Sequence, residues 1–94
     1  MQIKEAIGQY LNYLATIGRS KETLRTTGGY LLLFLRYLQK ERIEDVEGLN
    51  PEIIADYQEE ICWHVTRQGD LLKKSTQALT LIIVRGFCRW LVEQ

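Results

Sequence analysis

The sequence predicts an all-α fold of four helices. Four separate stretches carry apolar residues at helical spacing, and no stretch of any length alternates as a strand does. Glycine and capping residues punctuate the stretches, and the single proline, Pro51, falls where a helix begins. A chain of 94 residues forms one domain and buries one modest core.

The first helix is expected over residues 2–17. Ile3, Ile7, Tyr10, Leu11 and Leu14 share one face, and Gly18 stops the helix as a glycine just past the end does. The second helix begins at Ser20, a good N-cap, with Glu22 in its electropositive first turn. Leu24, Thr27, Leu31, Phe34, Leu35 and Leu38 form its inner stripe, and it ends near Glu41. A connector with a short helical turn follows. Asn50 caps the third helix and Pro51 takes its first position, where a missing N–H is harmless. Ile53, Ile54, Tyr57, Ile61 and Val65 form its inner face, and "TRQGD" is the next loop. The fourth helix starts near Ser75, with Leu79, Ile82, Ile83, Phe87, Trp90 and Leu91 expected to face inward. Gly86 lies inside that stripe at a cost of about 1 kcal/mol relative to alanine, which predicts close approach of another helix. Gly28 fits the same explanation, whereas Gly29 points outward and packing does not account for it.

Composition excludes several classes. No apolar run reaches the ~18 residues of a membrane span, and the amphipathic N-terminus has no signal-peptide core. Cys62 and Cys88 are expected to be reduced, buried thiols. His64 is the only histidine, and "CWH" lacks a second ligand pair, so neither metal nor cofactor is expected. Net charge is zero, but its distribution is uneven: residues 41–60 hold eight acids and one base, leaving eleven bases and four acids elsewhere. A neutral chain so divided can present a basic surface.

The second and fourth helices repeat a pattern. At an offset of 53 positions Lys21 meets Lys74, Thr23 meets Thr76, Phe34 meets Phe87, Tyr37 meets Trp90 and Leu38 meets Leu91. The full order is Ser20-x-x-Thr23, Tyr30, Leu31, Phe34-x-x-Tyr37-Leu38, the acidic "VEGLNPEIIADYQEEI", a glycine loop, a Thr-led helix and a closing F-x-x-W-L. This order resembles the N-terminal core-binding, SAM-like domain of the tyrosine recombinases, the phage-integrase family, over nearly the whole chain. The resemblance implies an orthogonal four-helix bundle that forms half of a clamp on double-stranded DNA at a recombination core site. Its second and fourth helices would cross the major groove. A separate C-terminal domain would carry the tyrosine nucleophile, so residues 1–94 are expected to be a non-catalytic DNA-binding domain excised from a longer recombinase. Partners implied are DNA, that catalytic domain and other recombinase protomers, in a cytoplasmic, prokaryotic or phage-encoded protein. The resemblance is imperfect at Lys73, where the family often has a hydroxyl residue or glycine, and Ser75 is then expected to take over capping.

The residues themselves suit that role. A helix N-terminus offers free N–H groups and positive potential to phosphate. Arg19, Ser20, Lys21 and Thr23 gather at one such start, and Lys73, Lys74, Ser75 and Thr76 at the other. Thr23 and Thr76 also suit capping or packing. Outward positions extend the footprint to Arg25 and Gly29 on the second helix and to Gln77, Leu81 and Arg85 on the fourth. Arg25 suits a guanine edge, Gln77 an adenine edge, and Gly29 close backbone approach to phosphate. The alternative is a protein-docking module using Leu32, Leu33, Leu81 and Val84.

Overall fold

The computed structural model describes residues 1–64, 66 and 68–94. Among these the elements are α1 (Ile3–Thr16), α2 (Lys21–Lys40), a 3₁₀ turn (Val46–Gly48), α3 (Pro51–Cys62) and α4 (Lys74–Val92). Val65, expected on the third helix, lies outside the described residues, and α3 ends at Cys62.

Local chemistry sets most of these boundaries. Gly18 follows α1 at φ +90°, with Gly18 N–H bonded to Ala15 O and Arg19 N–H to Leu14 O. That pair closes a helix end in which the left-handed residue is usually glycine. The end of α2 has the same two bonds, Arg42 N–H to Gln39 O and Ile43 N–H to Leu38 O, yet the left-handed residue is Arg42 at φ +61°. The Asn50 side chain accepts from Ile53 N–H at 3.0 Å and caps α3. The connector is tied to the chain start: Ile3 N–H bonds Glu44 O, Val46 N–H bonds Met1 O, and Asp45 meets the Met1 ammonium at 3.2 Å.

Helix α2 runs through the core and buries Thr27, Leu31, Phe34, Leu35, Tyr37 and Leu38. Around it lie Ile3, Ala6, Ile7 and Leu14 of α1, Tyr57 and Ile61 of α3, and Val84 and Phe87 of α4. Phe34 and Tyr37 both pack on Tyr57, with ring centroids 4.9 Å apart in each case. Each fully buried Leu or Phe contributes roughly 1.5–3 kcal/mol relative to exposure. Both packing glycines have partners. A Cβ on Gly86 would sit 3.3 Å from Tyr10 Oη, and one on Gly28 would sit 3.4 Å from Leu11. Gly29 has nothing within 4 Å.

On α4, Phe87 is buried and Ile83, Trp90 and Leu91 pack against the core as expected, but two residues depart from expectation. Leu79 and Ile82 are not inward; they are 40% and 67% exposed, and the buried stripe is Thr80, Val84 and Phe87. Thr80 reads as polar in sequence. Its Oγ1 donates to Thr76 O at 2.7 Å, which satisfies the hydroxyl and turns the methyl group to the core. The cysteines also depart from expectation: both are free, but Cys62 is exposed and Cys88 only half-buried.

Candidate nucleic-acid interface

The starts of α2 and α4 are built differently. At α2 the Ser20 Oγ accepts from Thr23 N–H at 3.2 Å and donates to Thr23 Oγ1 at 3.0 Å. One of the free first-turn N–H groups is therefore already satisfied by the protein. At α4 the N-cap residue is Lys73, which makes no side-chain cap. Ser75 does not take over capping, because it lies one residue inside the helix. The first N–H to find a backbone acceptor is that of Gln77, on Lys73 O at 3.0 Å. The amides of Lys74, Ser75 and Thr76 precede it in the turn that has no intrahelical partners. They point out of the helix beside two exposed lysines.

The outer face of α4 continues this character. From Lys73 to Val92 there is no Asp or Glu. Lys73, Lys74, Ser75, Ala78, Leu79, Ile82, Arg85 and Arg89 are all exposed along it. Arg89 was not singled out from the sequence; the absence of acids over this stretch was the available signal. Two expected outward residues are turned in. Gln77 is half-buried; its Nε2 donates to Leu72 O at 2.9 Å and its Oε1 accepts from Cys62 Sγ at 3.4 Å. This amide holds the α3–α4 loop, so it is not free to read an adenine. Leu81 packs against the core, and Val84 is fully buried. The docking patch expected from Leu32, Leu33, Leu81 and Val84 is thereby reduced to the exposed Leu32 and Leu33.

Of the remaining candidates, Thr76 is half-buried in the first turn of α4. Arg19, Ser20, Lys21, Thr23, Arg25 and Gly29 are exposed on and before α2. The two starts do not form one patch, however. Lys40 at the end of α2 is paired with Glu60 near the end of α3, and Cys62 of α3 touches Gln77 of α4. The start of α4 therefore lies towards the end of α2. The start of α2 lies beside the end of α1, whose Tyr10 and Tyr13 stack against Trp90 near the end of α4. With α2 about 30 Å long, Lys21 and Lys74 occupy opposite regions of the bundle.

Four of the acids are grouped near the ends of α2 and α3. Glu41, Asp56, Glu59 and Glu60 ring a small hollow with Tyr37 and Trp63. Burial, then the nearby carboxylates, push the Tyr37 hydroxyl above its ordinary pKa. On α3 the residues lining the α4 side are instead Ile54, Ala55 and Gln58. These last residues face a largely apolar groove of about 850 Å³ between α3 and the end of α4. Trp90, whose buried indole N–H has no partner, lines it too. Among the described residues no group of three or more His, Cys, Asp or Glu is placed to hold a metal ion. No described helix is long and apolar enough to cross a membrane.

An all-α bundle with lysines at the starts of α2 and α4, and with acids concentrated from the end of α2 through α3, is the class that the geometry defines. Comparison with protein families matches residues 7–94 to the phage integrase N-terminal SAM-like domain, and the chain belongs to that family of tyrosine recombinase domains. No curated protein and no solved structure matches the chain.

Proposed function

We propose that this chain is a DNA-binding clamp domain of a tyrosine site-specific recombinase, and that it is not catalytic by itself. The observation that carries the reading is the uncapped, lysine-flanked start of α4 leading into a helix face without a single acid. Open N–H groups and lysines suit phosphate oxygens, which receive most protein–DNA hydrogen bonds. The exposed face behind them suits a major groove about 12 Å wide. Helix α2 supplies a second, separate hold through Arg19, Lys21 and Arg25, with Gly29 leaving its backbone open. Two distant holds suit phosphates on either side of a groove better than one patch would. The acids of residues 41–60 would repel phosphate, so they belong on the side turned from DNA.

The test is titration of a ~20-base-pair duplex at 50 and 200 mM salt. A half-clamp with few phosphate contacts should bind at roughly 10⁻⁴ to 10⁻⁶ M and weaken steeply with salt. Lys74→Ala and Lys21→Ala should each reduce the salt slope by about 1. Glu59→Gln with Glu60→Gln should strengthen binding modestly at 50 mM salt and little at 200 mM, because these acids stand near the end of α3, beside the start of α4, and added salt screens them. Salt-independent binding, or backbone amide shifts confined to α3, would replace this reading with protein docking. A covalent adduct on a suicide DNA substrate would contradict the non-catalytic assignment.

A further inference from the structure

We propose that Ile82 reads thymine, by placing its side chain against the 5-methyl group in the major groove; the inference rests on the DNA-binding reading above. Ile82 is 67% exposed, the most exposed large apolar side chain inside any helix apart from the terminal Val92. A β-branched apolar residue in water gains nothing from its position, and neighbouring helices do not cover it. Its surroundings are specific. One turn before it lie Ala78 and Leu79, and one turn after it Arg85 and Gly86. Ser75 and Arg89 lie two turns away on the same face. The small Ala78 and Ser75 let a base edge come close, and the arginines and Lys74 are placed for the backbone on either side.

The charges select the occupant. A protein partner for an apolar spot followed on the same face by Arg85 and Arg89 would have to be acidic and apolar together. A DNA duplex meets the same demand without any further assumption: it is anionic along both edges, and the thymine 5-methyl is the one apolar feature its major groove displays. Gln77, the other base-reading candidate on this helix, is held internally by Leu72 and Cys62, which removes its amide as a means of discrimination on α4.

The experiment uses two duplexes of one alternating adenine–thymine sequence, the second with deoxyuridine in place of thymidine. In such a sequence a thymine methyl is present in every register, so weak binding without a fixed site is sufficient. The chain with ¹³C-labelled isoleucine methyl groups is titrated with each duplex at 50 mM salt. The expected result is an affinity about four-fold lower for the deoxyuridine duplex, the value of one buried methyl group. Nuclear Overhauser contacts from the Ile82 methyls to thymine 5-methyl protons should appear. In Ile82→Ala the difference between the duplexes should vanish, while circular dichroism confirms an unchanged fold, as befits an exposed side chain. Equal affinity of the parent chain for both duplexes would overturn the thymine contact and leave the DNA-binding reading standing. Binding to neither duplex would overturn both. Concentration-dependent self-association that Ile82→Ala abolishes, together with equal duplex affinities, would assign the spot to a second copy of the chain instead.

Discussion

Helices α2 and α4 are two versions of one sentence, and the offset of 53 residues aligns more than letters. It pairs Thr27 with Thr80, Leu31 with Val84 and Phe34 with Phe87, and all six are buried. It pairs the N-cap Ser20 with the N-cap Lys73. The inner halves of the two helices are thus equivalent and their starts are not. A serine at the cap satisfies a first-turn N–H from within; a lysine leaves it for something else. On the outer faces the same offset sets Gly29 against Ile82, and neither is covered. The core tolerates little divergence because close-packed side chains feel a change of one methylene. The starts and outer faces are free to diverge, and that is where the two helices differ.

The largest expected effect sharpens the equivalent half. Phe34→Ala and Phe87→Ala each remove a side chain with no exposure, and each should cost about 3–5 kcal/mol in urea unfolding. A loss under about 1 kcal/mol at either position would break the equivalence.

The next effect addresses the starts. Lys73→Asp gives α4 a side-chain cap and should stabilise the chain by about 1 kcal/mol. The same change closes the N–H groups and adds a negative charge, so duplex affinity should fall roughly ten-fold at 50 mM salt. Ser20→Ala, by contrast, should cost about 1 kcal/mol of stability and leave duplex affinity nearly unchanged. Should Lys73→Asp stabilise the chain without weakening DNA binding, the open start of α4 is not the phosphate site.

How far the sequence was legible follows the same division. The helix order, the Ser20 and Asn50 caps, the Gly18 stop and the Gly86 contact were all readable, because each depends on local backbone chemistry. The first half of the inner face of α4 was not. Counting apolar letters placed Ile83, Phe87, Trp90 and Leu91 correctly against the core but also turned Leu79 and Ile82 inward, whereas the buried stripe runs through Thr80, whose hydroxyl is silenced by the carbonyl of Thr76. Carrying the offset across from Thr27 gives the register found. The commitment of Gln77 to Leu72 and Cys62 was invisible, since it depends on how the loop after α3 returns. Separation of the two basic starts was invisible for the same reason: it is a property of how three helices stack end to end. The left-handed Arg42 also gave no signal, because the residue that usually marks such an end is glycine.

A smaller effect distinguishes the outer faces. With no atom within 4 Å of its added Cβ, Gly29→Ala should stabilise the chain by about 1 kcal/mol through helix propensity alone. If α2 brings its bare backbone to phosphate, the same substitution should weaken duplex binding. Gly86→Ala should give no such gain in stability, because its Cβ meets Tyr10 Oη at 3.3 Å. Stabilisation without any loss of DNA affinity in Gly29→Ala would remove α2's backbone from the interface.

The smallest effect lies at Cys88, which the offset pairs with the buried Leu35. Burial pushes the Cys88 thiol up to about 11 from its ordinary 9.0. A folded-state pKa raised above the unfolded one favours the protonated form in the fold. Its contribution is therefore fully present below pH 9 and is lost as pH climbs through 11. Tyr57, pushed up to about 12 from 10.0 chiefly by burial, acts in the same direction one step later. Unfolding midpoints measured from pH 8 to 12 should decline throughout the upper range. Cys88→Ala should flatten the part of the curve between 9 and 11 and leave the Tyr57 part intact. For a half-buried site the flattening should stay below about 1 kcal/mol, because solvent screens the thiolate. An unchanged curve between pH 9 and 11 would mean that the Cys88 thiolate reaches water without opening the core, and that burial of this thiol adds nothing to stability.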